Sequence, residues 1–194
     1  MKKLSLTFLF CAAVAITGCK NENRENETEL ETETQMTQDT QTEEAKKIRV
    51  TLEAKSGSDL SGNVVFTEEN GEVTMTAVID GLSEGMHAIH LHESADCSAE
   101  DGSSAGGHWN PTRERHGKWG APEGYHKGDI GNFKVDANGN GTITMTTDEW
   151  CIGCDDDTKN IVGKSVVIHD GVDDFESQPS GDAGTRVGCG SIEE

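Results

Sequence analysis

From Ile48 onward apolar and polar positions alternate: Ile48, Val50, Leu52 and Ala54, then Val73, Met75, Ala77 and Ile79, then Ile143 and Met145 between threonines. A period of two sends every second side chain to one face, the pattern of a strand with one buried side. Turn formers punctuate these runs, among them Asn70-Gly71 and Asn138-Gly139-Asn140-Gly141, which suit the positive φ of tight hairpins. Runs at 48–54, 63–68, 72–80, 86–93, 131–135, 142–147, 164–169 and 186–192 predict eight short strands. The predicted class is therefore all-β, an eight-stranded antiparallel Greek-key barrel or two-sheet sandwich. The stretch 94–130 keeps Gly, Pro, His and charge but loses the alternation; a loop of that length in a compact domain usually carries function.

The first 47 residues follow a different pattern. Lys2 and Lys3 precede an apolar run from Leu4 to Ile16, and Ile16-Thr17-Gly18-Cys19 closes it. A positive start and an apolar core too short for a typical membrane span read as an export signal. The last four of these residues resemble a bacterial lipobox. That implies a signal peptide over 1–18, cleavage before Cys19, and lipidation of Cys19 as the link to a membrane. An ordinary signal peptide with an incidental cysteine is the other reading. Residues 20–47 hold nine acidic and four basic residues, with Leu30, Met36 and Ala45 as their apolar content. Such a segment cannot offset the entropy of ordering, so it is expected to stay a disordered tether. The folded domain is then 48–194, exported to a periplasm or cell surface.

Composition narrows the partners. The chain carries 16 Lys or Arg against 36 Asp or Glu, a formal charge of −20, of which −17 falls within 48–194. Nucleic acid is excluded as a partner, because phosphate recognition needs a basic footprint. All seven histidines lie between positions 87 and 169. His90 and His92 sit two apart on a predicted strand and share a face, so both rings can reach one ion; two exposed histidines on a polar face would give the same spacing. The long loop adds His108, His116 and His126, with Asp129 three residues further. Three imidazoles and a carboxylate form the N/O ligand set that Zn²⁺ takes. His169 closes the strand at 164–169 before an Asp-rich turn, and an imidazole set with a redox role would suit copper.

The segments H-x-H (90–92), G-H-W-N-P (107–111), H-G (116–117), H-x-G-D (126–129), V-V-I-H-D (166–170) with Asp173-Asp174, and A-G-x-R-x-x-C-G (183–190) follow one another in the order seen in a known family. In this the sequence resembles the copper/zinc superoxide dismutases, over essentially 48–194. The resemblance implies an enzyme that converts superoxide to O₂ and hydrogen peroxide. It implies copper on His90, His92, His108 and His169, and zinc on His108, His116, His126 and Asp129, with His108 as a bridging imidazolate. It further implies that Arg186 holds the small anion and that Asp173 orients ligands of both metals, a role for which Asp170 and Asp174 are rivals. His87 is read as a brace for the ligand strand, and the resemblance implies a disulfide between Cys97 and Cys189. Intact His116, His126 and Asp129 disfavour a copper-only variant.

Two features depart from the family pattern. Cys151-Ile152-Gly153-Cys154 admits a local disulfide, a thiolate pair for Cu(I) or a redox dithiol. No Lys lies between Asp174 and Arg186, so steering of superoxide is expected to be weaker than in lysine-bearing relatives, with Lys118 and Lys127 as candidate substitutes. The expected partners are superoxide and, through the lipid, a membrane; a homodimer is left open. A copper-delivering lipoprotein without activity and a surface interaction domain are the competing functions.

Overall fold

The computed structural model describes residues 45–194; the signal peptide, Cys19 and nearly all of the expected tether lie outside the described residues. Eight strands form: β1 (Lys46–Ala54), β2 (Ser61–Glu69), β3 (Glu72–Asp80), β4 (Gly85–His92), β5 (Gly131–Val135), β6 (Gly141–Thr147), β7 (Ser165–His169) and β8 (Arg186–Ser191). They close into an antiparallel barrel in the order β1-β2-β3-β6-β5-β4-β7-β8. The all-β class and the eight strands agree with the alternation in the sequence. One boundary differs: Lys46 and Lys47 pair with Glu68 and Thr67, so the end of the segment read as tether belongs to the sheet.

The alternation accounts for where the core lies. Val50 and Leu52 of β1, Val64 and Phe66 of β2, and Met75 and Ile79 of β3 turn inward and are almost wholly buried. The opposite faces of β3 and β6 carry threonines that pair across strands, Thr74 with Thr146 at 2.9 Å and Thr76 with Thr144 at 3.2 Å. β4 and β7 break this one-sided pattern: from His87 to His92 and from Ser165 to His169 every residue is buried. A strand hidden on both faces needs a second cover, and here the loop spanning 93–130 supplies it.

That loop is tied to the barrel covalently. Cys97 is bonded to Cys189 of β8 across 92 residues, and Ala105 and Val167 pack around the bridge. Cys151 and Cys154 are bonded to each other, the local disulfide among the three alternatives. Closing a loop of 92 residues restricts the unfolded chain by about 4–5 kcal/mol in the chain-entropy model. Cys97→Ala with Cys189→Ala should therefore lower the unfolding free energy of the metal-free domain by most of that amount, seen as a lower midpoint in urea unfolding. An unchanged midpoint would show that the bridge adds nothing to the fold.

Candidate metal centre

β4 and β7 run side by side with His90 opposite Val167 and His92 opposite Ser165. Alternation turns Ile89, Leu91, Val166 and Ile168 into the core, leaving His90, His92 and His169 for the outer face. A bulge between Ile168 and His169 sets His169 opposite Arg186, and such irregularities re-aim side chains.

The long loop is laid on this face by main-chain bonds. Trp109 N–H donates to Leu91 O at 2.8 Å, Leu91 N–H to Gly128 O at 2.9 Å, and Gly128 N–H to Trp109 O at 3.0 Å. A Cβ on Gly128 would stand 2.2 Å from Leu91 O, so the approach requires glycine. His92 and His108 form an isolated antiparallel bridge. Two four-residue groups result, each with its donor atoms within 4.8 Å of one another: His90, His92, His108 and His169, and His108, His116, His126 and Asp129. His108 belongs to both.

In five of the six rings one nitrogen is occupied by a protein partner. His90 Nε2–H donates to Asp173 Oδ2 at 3.0 Å and His116 Nε2–H to Asp173 Oδ1 at 2.8 Å. His92 Nδ1–H donates to Gly106 O at 2.9 Å, His169 Nδ1–H to Gly184 O at 3.3 Å, and His108 Nδ1–H to Asp129 Oδ1 at 2.8 Å. The other nitrogens, His90 Nδ1, His92 Nε2, His108 Nε2, His116 Nδ1, His126 Nδ1 and His169 Nε2, are buried without a hydrogen-bond partner. Buried polar atoms are rarely left so, and a ligating ring characteristically bonds its second nitrogen to carboxylate or carbonyl. The residues thus fit two metal ions, one of them with imidazole ligands alone and the other with a carboxylate added.

Electrostatics divide the groups. Burial lowers His92 well below the ordinary imidazole range, and burial reinforced by His90 takes His169 down to about 3. His108 falls to about 4, because burial outweighs its bond to Asp129. For His116 burial also lowers the pKa, but the Asp129 carboxylate 3.1 Å from Nδ1 and the bond to Asp173 prevail and raise it to about 9. Both carboxyls resist burial, which would raise them: Asp129 is held far below the carboxylate range by His108, His116 and His126, and Asp173 by His116 and His90.

Asp173 bonds rings from both groups, whereas Asp170 accepts from Thr185 N–H at 2.6 Å and Asp174 from Ser177 Oγ at 2.5 Å. His87 joins neither group; its Nδ1 meets His169 O at 3.0 Å and its Nε2 meets Ser83 O at 2.9 Å. Arg186 donates from Nη1 to Gly102 O and from Nη2 to Gly106 O, both at 2.8 Å, and burial lowers its pKa. Lys127 is paired with Glu149, and Lys118 borders a cleft of about 700 Å³ beside His116. Cys151 and Cys154 enter neither group. Sequence reasoning passed over Asn132, whose side-chain amide bonds both Asp173 N–H and C=O at 2.8 Å, and Gln178, which does the same for His116. A single Asn within a strand or a Gln before a proline carries no signal of what it bonds.

Because His116 keeps its proton up to about pH 9, the stabilisation of the metal-free fold from that proton is complete below the ordinary imidazole pKa. It is lost as the pH rises through about 9. An ion bound at Nδ1 must expel this proton. The apparent Zn²⁺ affinity of the metal-free protein should accordingly climb by about tenfold per pH unit between neutrality and that point, then level. Calorimetric titration at stepped pH checks this, and a flat affinity across the interval would contradict it.

Comparison with known proteins bears on what these groups are. The family model described as copper/zinc superoxide dismutase matches residues 60–192. A superoxide dismutase [Cu-Zn] of Botryotinia fuckeliana is 36% identical, over 75% of this chain and 97% of that protein. An extracellular superoxide dismutase [Cu-Zn] of Caenorhabditis elegans is 33% identical, over 71% of this chain and 63% of that protein. Among solved structures, a double mutant of a SOD-like protein from Bacillus subtilis superposes with a TM-score of 0.67 at 30% identity, covering 75% of this chain and 97% of its own. The clock protein EA4 gives 0.66 at 31%, covering 76% and 93%. With a family model spanning most of the chain and a barrel whose buried histidines form two adjoining ligand groups, this protein belongs to the copper/zinc superoxide dismutases, oxidoreductases that act on superoxide and use copper and zinc.

Proposed function

We propose that His90, His92, His108 and His169 hold copper, that His108, His116, His126 and Asp129 hold zinc, and that the pair dismutates superoxide outside the cytoplasm. The observation that carries this is the sharing of His108: Nδ1 lies against Asp129 while Nε2 is buried and bare, so one imidazolate can serve both ions. The all-imidazole group suits the redox metal and the carboxylate-bearing group suits zinc. Bound copper supplies one-electron cycling, and zinc a redox-inert charge.

The chain's own residues account for the remainder. Arg186 keeps N–H donors beyond the two given to Gly102 and Gly106, and a guanidinium presents five in a rigid fork. Set opposite His169, it can hold a small anion at the copper face. His108 Nε2 is the atom at which a proton is held between half-reactions and given to the departing peroxide. Asp173 keeps the His90 and His116 rings in one tautomer through their Nε2 atoms. With Lys127 paired to Glu149 and no Lys between Asp174 and Arg186, long-range steering is weak and Arg186 does most of the anion capture.

Export is supported by the leader over 1–18 and by the two disulfides, which persist in oxidising compartments. The Caenorhabditis elegans relative is itself described as extracellular. Lipid on Cys19 would make the enzyme a membrane-tethered one.

Arg186→Ala is expected to lower kcat/KM for superoxide by about tenfold to a hundredfold with copper content unchanged, the loss of a charge-assisted bond to the anion. The wild-type rate should fall only shallowly with ionic strength. Pulse radiolysis on the loaded protein measures both, and full activity in Arg186→Ala would refute the anion role. Cys19→Ala should move the protein from the membrane fraction to the soluble extracytoplasmic one; an unchanged membrane fraction would sink the lipid anchor.

A further inference from the structure

His116 lies in a stretch without helix or strand and is itself wholly buried. Buried backbone polar groups need partners, yet the main-chain bonds of this stretch leave His116 out: Arg113 N–H reaches Asn110, Ala121 N–H reaches Lys118, and Gly117 N–H goes to Asp129 Oδ2. Its N–H donates instead to Gln178 Oε1 at 2.9 Å, and its C=O accepts from Gln178 Nε2 at 2.9 Å. A single side-chain amide 62 residues away thus takes the place of a neighbouring strand. The second N–H of that amide is tied to Glu176 O at 3.0 Å, so the fork is fixed at its own base before it meets His116.

The same segment grips the ring. Asp173 bonds His116 Nε2, and a Cβ on Gly181 would stand 1.8 Å from Asp173 Oδ1 and 2.6 Å from His116 Nε2. Gly181 therefore lies directly over that bond, and its φ of +66° suits glycine. Three contacts from residues 173–181 hold His116 by backbone, ring and cover. Between the two segments the surface is otherwise open, in the cleft of about 700 Å³ lined by Arg115, Lys118, Glu123 and Glu176. Without the amide, water from the cleft would compete for the His116 peptide groups.

We infer that Gln178 is a positioning residue for the zinc ligand His116, fixing the main chain on which the ring is carried and so setting how tightly zinc is kept. Asp173 restrains ring rotation but not the position of the residue; Gln178 supplies that restraint. The inference rests on His116 as a zinc ligand. Partners that orient ligands in this way are worth about 10–100-fold in metal affinity.

The test uses the copper- and zinc-loaded wild-type protein beside Gln178→Ala, with Glu176→Gln as a control in the same segment. Each is challenged with graded chelator, and zinc and copper release are read separately by elemental analysis. Gln178→Ala should give up zinc about 10–100-fold more readily while copper retention and the control stay at wild-type values. Equal zinc retention, or parallel loss of both metals, overturns the inference. A wild-type protein that takes up no zinc overturns the metal assignment beneath it instead. If Gln178→Ala does not fold, amide hydrogen exchange at His116 in the zinc-loaded wild type decides. Strong protection supports the clamp, and exchange as fast as an exposed loop amide refutes it.

Discussion

Two carboxylates, Asp129 and Asp173, sit out of contact with solvent among six histidines, and their need for partners governs how the loops lie. An unmatched buried carboxylate costs several kcal/mol. Asp129 meets this with His108 Nδ1 on one oxygen and the His126 and Gly117 N–H groups on the other. Asp173 does so with the His90 and His116 rings and the Phe175 N–H. Each carboxylate thereby joins segments far apart in sequence. Asp173 fastens β4, the 93–130 loop and the segment before β8 at one point, which no local turn could achieve.

The barrel contributes a rigid outer face on β4 and β7 and little else to the chemistry. His90, His92 and His169 come from strands, where register fixes direction to within a rotamer. His108, His116, His126 and Asp129 come from a loop with a single short 3₁₀ turn at Ser103–Ala105. Their placement rests on the Leu91, Trp109 and Gly128 bonds, on the bridge from Cys97 to Cys189 and on side-chain amides in place of a ladder. The half of the centre proposed to hold the redox ion is thus built on the stiff part of the molecule and the other half on the part that needs fastening.

What could be read in the sequence divides along the same line. Alternation marks β1, β3 and β6, because a half-buried sheet writes its inside and outside into consecutive residues, whereas β4 and β7, buried on both faces, show only as short apolar runs between turn signals. It also put His90 and His92 on one face. The joining of His116, His126 and Asp129 into one group followed from resemblance and ligand chemistry, since loop residues carry no period that says what they approach. Gly128 and Gly181 are two among 23 glycines, and only the near contact of Leu91 O or the Asp173 bond singles them out. Asn132 and Gln178 were illegible for the same reason. Their bonds reach main-chain groups 41 and 62 residues away.

Gly106 O accepts from both His92 Nδ1 and Arg186 Nη2, and Gly106, at a φ of +76° directly after the short 3₁₀ turn, has the Glu93 side chain where a Cβ would lie. A single carbonyl dipole is therefore shared between a ring proposed to ligate the redox ion and the guanidinium proposed to receive the anion. A tilt of that peptide away from both donors would weaken the two bonds together. On those proposed roles, the electronic donor strength of His92 and the docking of the anion both depend on the orientation of one peptide.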